Sequence, residues 1–111
     1  MTKVQIVKTR DGQVRSFHAT GHTGYAEAGG DIVCAGVSAI VISTVNSLQD
    51  LLHEDIDVEA DEVNGGDIRV TFNGAPSGGA ALLVDSMIHG LEWIRRQYGS
   101  QYLSCQIKEV E

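Results

Sequence analysis

Apolar and polar positions alternate at the start of the chain. Val4 and Ile6, with Val7 beside them, stand among polar neighbours and predict a strand; Asp11-Gly12 supplies a turn and Val14 to Thr20 resumes extended sequence. The pair reads as a β-hairpin. From Gly21 to Gly30 the periodicity stops, and four glycines in this segment predict a loop with wide conformational freedom. The period then changes to that of a helix. Asp31 stands where an N-cap is favoured, and Val33, Val37, Ile40, Val41, Val45, Leu48 and Leu52 recur at helical spacing, which predicts a long helix ending near Leu52 or His53.

The second half repeats this plan. Ile56, Val58 and Ala60 alternate with Asp57, Glu59 and Asp61, Asn64-Gly65-Gly66 makes a turn, and Ile68, Val70 and Phe72 continue on a second strand. Pro76-Ser77-Gly78-Gly79 interrupts the chain before a helix over Ala80 to Tyr98, with Leu83, Met87, Leu91, Ile94 and Tyr98 on one face, Arg95 and Arg96 suited to its C-terminal dipole and Gly99 as its stop. A last strand places Leu103, Cys105 and Ile107 on one side and Tyr102, Ser104 and Gln106 on the other. The order ββαββαβ predicts an α+β fold, a mixed or antiparallel sheet with two helices packed on it, forming a single domain over residues 1–111.

Composition narrows the function classes. With 42% hydrophobic and 21% charged residues, the chain lies in the ordinary globular range. A net charge of −7 with only eight Lys and Arg argues against unaided binding of nucleic acid, which draws its affinity from cations on phosphates, and favours a basic partner. Two cysteines are too few for a disulfide framework, and the N-terminal residues do not resemble a signal peptide, so a cytoplasmic protein is expected. Ile32 to Gln49 carries no charge, but Ser38, Ser43, Thr44, Asn46 and Ser47 interrupt its apolar surface, which predicts a buried helix and not a membrane span.

The stretch GHTGYAEAGGDIVCAGVS, residues 21–38, concentrates the candidate chemistry. With Asp31 as N-cap, Cys34 falls in the first helical turn, where unpaired amides and the positive end of the dipole favour a thiolate and can cradle an oxyanion. His22, across the loop, is placed to handle the proton in attack on an acyl carbon. Asp31 either caps the helix or orients the imidazole, and the two roles are compatible. Ser38, one turn beyond Cys34, either supports the site or bonds its own backbone. The competing reading of Cys34 is a packed core residue, since free cysteine is among the most buried residue types. Cys105, flanked on its side by Leu103 and Ile107, reads as core. His18, His22 and Cys34 are the residues a zinc site would need, but four residues along a strand span about 13 Å, so no metal is expected.

The motifs Gly21-His22 and Asp31-Ile32-Val33-Cys34-Ala35-Gly36-Val37-Ser38, with Val45-Asn46 later in the helix, resemble the ribosomal-processing cysteine protease family, Prp. The resemblance runs over essentially the whole chain in element order. It implies a cytosolic endopeptidase without a cofactor, supporting ribosome assembly by removing the short N-terminal extension of a large-subunit ribosomal protein after bulky apolar residues. It places the catalytic pair on His22 and Cys34 and the family's acidic residue on Asp31. It further implies a homodimer and a mobile substrate-gating loop, Thr23 to Gly30, containing Gly24, Tyr25, Gly29 and Gly30. The alternative expectation is a non-enzymatic, ribosome-associated peptide-binding module; no direct nucleic acid or membrane partner is expected in either case.

Overall fold

The computed structural model describes residues 2–21, 28–61 and 67–110, with 28–31 and 61 described by their backbone only. Seven elements follow in the order β1 (Thr2–Thr9), β2 (Val14–Thr20), α1 (Ala28–Asp50), β3 (Ile56–Asp61), β4 (Asp67–Phe72), α2 (Gly78–Tyr98) and β5 (Leu103–Val110). The strands form one five-stranded sheet in the order β3-β4-β2-β1-β5. It is mixed: β1–β2, β2–β4 and β3–β4 pair antiparallel, while β1–β5 pair parallel, Thr2 opposite Leu103 through Thr9 opposite Val110.

The period-two pattern of the strands sorts their side chains onto two faces. Val4, Ile6, Phe17, Ala19, Val70, Phe72 and Leu103 are buried and meet the helices in one hydrophobic cluster. At the alternate positions Glu59, Arg69, His18, Gln5 and Gln106 stand in register across all five strands on the open face. His18 Nε2 hydrogen-bonds Asp67 Oδ1 there. Two helices about 10 Å wide cannot cover five strands about 4.8 Å apart to their edges. Val58 on β3 and Ile107 on β5 accordingly remain 37% and 56% exposed although both point to the helical side. Cys105, expected in the core beside Ile107, is only partly buried for the same reason.

Asp11-Gly12 turns β1 into β2 as predicted, with the Gly12 amide donating to the Thr9 carbonyl at 2.9 Å and Thr9 Oγ1 donating to the Asp11 carboxylate. That hydrogen bond, with a smaller contribution from Asp11's own amide, lowers the Asp11 pKa. The β3–β4 hairpin pairs as expected, while its turn, Asn64-Gly65-Gly66, lies outside the described residues.

α1 buries Val33, Val37, Val41, Val45 and Leu48. It is long and apolar enough to cross a membrane by length and composition; only one of its faces packs into the core, so it is not the fully buried helix expected, and Ile32 and Ile42 on its other side are 57% and 45% exposed. Leu52 falls beyond its end, where His53 takes a positive φ of 52° and the Glu54 amide reaches back to the Leu48 carbonyl at 2.9 Å. α2 starts two residues earlier than expected because Ser77 caps it, its hydroxyl accepting from the Ala80 amide at 3.1 Å. Its buried residues are Ala80, Val84, Met87, Leu91 and Ile94, so Leu83 sits at the margin and Tyr98 is exposed.

The two helices lock through a reciprocal pair of glycines. A Cβ on Gly36 of α1 would stand 3.2 Å from Ile94 Cδ1 of α2, and a Cβ on Gly90 of α2 would stand 3.1 Å from Ile40 Cδ1 of α1. Each helix thus offers a hole to the other's isoleucine, which fixes the rotation of α1 about its axis and with it the direction of Cys34.

Candidate active site

α1 carries Cys34 one residue after the buried Val33 and one turn before the buried Val37, so its side chain lies at the margin of the core and is partly exposed. The Cys34 Sγ is 3.2 Å from the hydroxyl of Thr2 at the start of β1. Thr2 is itself 2% exposed, and its amide donates to the Tyr102 carbonyl at 3.0 Å.

β2 ends at this same end of the sheet. Thr20 pairs with Lys3, the neighbour of Thr2, and Gly21 follows with φ 100°. Gly21, the last described residue of this segment, therefore lies beside the strand that carries Thr2. His22, Gly24 and Tyr25 lie outside the described residues.

The start of α1 differs from the sequence reading. The helix begins at Ala28, so Asp31 is not its N-cap but its fourth residue, and Cys34 is its seventh. Gly29 and Gly30, expected in a gating loop, belong to the first helical turn. Glycine costs about 1 kcal/mol relative to alanine inside a helix, which is why a glycine pair reads as loop, but that cost is small enough for tertiary packing to override. The unpaired amides of the helix start consequently precede Cys34 by about a turn, and they do not surround the thiol as expected. Ser38 lies one turn beyond Cys34 and is partly buried.

Cys105 provides a contrast. Burial pushes its thiol up to about 11, the nearby Glu92 carboxylate adds to that rise, and the Arg95 guanidinium opposes it. Glu92 and Arg95 form an ion pair at 2.8 Å. A thiol in this setting is held protonated, as suits a packing role.

The zinc alternative fails on geometry, since His18 lies on the open face, bonded to Asp67, while Cys34 is on a helix covering the opposite face. Among the described residues no cluster of three His, Cys, Asp or Glu is arranged to hold a metal ion. Thr2 is the site residue that sequence reasoning missed. It sits 32 positions from Cys34, and its only sequence signal is a hydroxyl where the alternation with Val4 and Ile6 calls for an apolar side chain.

A partly exposed thiol in the second turn of a long helix, hydrogen-bonded to a strand hydroxyl, is a setting in which thiol chemistry can operate, and comparison with known proteins supplies the class. The sequence profile of the family described as cysteine protease Prp matches residues 1–103. The ribosomal processing cysteine protease Prp of Bacillus subtilis (strain 168) is 35% identical over 102 residues, covering 88% of this chain and 90% of the relative. The essential ribosomal processing protease Prp from S. aureus, crystallised in complex with a substrate peptide, superposes with a TM-score of 0.88 at 28% identity, covering 97% of this chain and 100% of the other. The same S. aureus protease with a covalently linked product peptide gives a TM-score of 0.86 at 30% identity, again over 97% and 100%. The chain belongs to the cysteine protease Prp family and is a cysteine peptidase, which sets aside the non-enzymatic binding module.

Proposed function

We propose that this peptidase removes a short N-terminal extension from a large-subunit ribosomal protein, in the cytoplasm and as a homodimer, with Cys34 as nucleophile and His22 as its proton partner. The observation that carries the reading is the partly exposed Cys34 thiol, hydrogen-bonded at 3.2 Å to Thr2 at the end of the sheet where β2 finishes at Thr20. The sulfur attacks the scissile carbonyl, forming the C–S bond, and the thiol proton passes to the imidazole. The tetrahedral adduct collapses, the C–N bond breaks, and the imidazolium delivers its proton to the departing amine. Water, deprotonated by the same imidazole, then cleaves the thioester and regenerates the thiol.

Asp31 orients the imidazole in this scheme, and Ser38 supports the cysteine from the next turn. Gly24 and Tyr25 belong to the segment that closes over the peptide. A covalently linked product peptide in the S. aureus relative fits a route through an acyl-enzyme. The net charge of −7 suits a basic ribosomal substrate.

Mass spectrometry of a peptide spanning the extension junction, incubated with the native protein and with Cys34→Ala, tests substrate and nucleophile together. Cleavage by the native protein alone is expected. Equal cleavage by Cys34→Ala refutes the assignment of the sulfur, and an intact peptide with both refutes the substrate. Light scattering on the same native sample reads the mass, for which twice that of one chain is expected.

A further inference from the structure

We propose that Thr2 is a positioning residue for the peptidase reaction, its hydroxyl fixing the Cys34 sulfur from the first position of β1; this rests on the reading of Cys34 as the nucleophile. The observation is a buried hydroxyl with a chemical reason to be there. Thr2 is 2% exposed on the helical side of β1, where Val4 and Ile6 are 1% and 0% exposed. A valine would fill such a strand position with nearly the same shape, and burying a hydroxyl is unfavourable unless a hydrogen bond offsets the lost water. That partner is Cys34 Sγ, 3.2 Å from Thr2 Oγ1.

The direction of this bond depends on the state of the sulfur. With a neutral thiol either atom can donate. Once the sulfur is an anion it can only accept, so the threonine O–H must point at it, and a hydrogen bond made to the charged form favours that form.

The hydroxyl is rigidly placed for this task. β-branching restricts the Thr2 side chain, the Thr2 amide is tied to the Tyr102 carbonyl at 3.0 Å, and its residue is held in parallel register opposite Leu103. On the other side, the Gly36–Ile94 and Gly90–Ile40 contacts set the rotation of α1. Sulfur and hydroxyl therefore meet between two fixed elements, the arrangement a reactive group needs if its direction is to be set before substrate arrives. The remaining sulfur lone pairs stay available for attack.

Thr2→Val removes the hydroxyl at nearly constant shape, and Thr2→Ser restores it. Both are made beside the native protein in a Cys105→Ala background, and the rate of Cys34 alkylation by iodoacetamide is measured together with kcat and KM on the extension peptide. Thr2→Val is expected to slow alkylation severalfold and to lower kcat about tenfold with KM little changed, whereas Thr2→Ser returns both to within about threefold of native.

An alkylation rate and kcat unchanged in Thr2→Val overturn the proposal. So does a loss in Thr2→Val that Thr2→Ser fails to rescue, since that pattern reports packing. Should Thr2→Val not fold, the same measurements on Thr2→Ala decide, a native alkylation rate and kcat being the overturning result. Because alkylation is read without substrate, an unchanged rate with an inactive Cys34→Ala removes Thr2 alone, while an active Cys34→Ala removes the nucleophile assignment beneath it.

Discussion

A thiol reagent should distinguish the two cysteines, and the contrast can be worked from the surroundings of Cys105. Burial and the Glu92 carboxylate raise its pKa from an ordinary 9.0 to about 11. At pH 8 a rise of about two units leaves roughly 100-fold fewer thiolates than the unfolded chain presents. A more basic thiolate is also the better nucleophile, with a Brønsted slope of about 0.4–0.5, which returns roughly eightfold. Ionisation alone thus slows Cys105 about tenfold, and partial burial slows it further. The assay is the release of thionitrobenzoate from Ellman's reagent at pH 8 by Cys34→Ala, whose only thiol is Cys105, in the folded state and in denaturant. A folded rate at least about tenfold below the unfolded rate is expected. Equal rates within about threefold would refute the account of how Glu92 and burial act on this sulfur.

The same shift makes stability depend on pH. The Cys105 thiol is neutral in both states below pH 9, so its contribution is fully present there; above that the unfolded chain ionises first, and the contribution is lost as pH rises toward about 11. After discounting for partial exposure, urea unfolding should show the native protein losing about 1 kcal/mol more than Cys105→Ala between pH 8 and pH 11. At the head of α2, Ser77→Ala removes the hydroxyl that accepts from the Ala80 amide and should cost about 1 kcal/mol, read as a fall in Tm of about 5 °C. An unchanged Tm would show that another group caps α2.

The elements were legible because their signals are local. Alternation around Val4 and Ile6, the turn at Asp11-Gly12 and the helical spacing of Val33, Val37 and Val41 each arise within a few residues, and the structure contains all seven predicted elements in order. Legibility failed where a local preference yielded to packing, as at Gly29 and Gly30, which read as loop but join α1. It failed again where burial depends on neighbours distant in sequence. Ile107 alternates like a core residue, but β5 is an edge strand that the helices do not fully cover. The site divides in the same way. Cys34 stood out through its sequence motif, while the Thr2 hydroxyl acquires meaning only when β1 and α1 are brought together.

The parallel pairing of β1 with β5 also bears on how this peptidase folds. Residues 2–9 find their second strand neighbour in residues 103–110, the pairing most distant in sequence within the described sheet. β1 reaches β2 through a short turn, whereas bringing it to β5 closes a far longer loop at a larger entropic cost. The Tyr102 carbonyl that anchors the Thr2 amide is equally remote along the chain. The strand that braces the cysteine is thus secured only when the longest-range contact of the sheet forms, which ties the appearance of a competent enzyme to the slowest class of folding step.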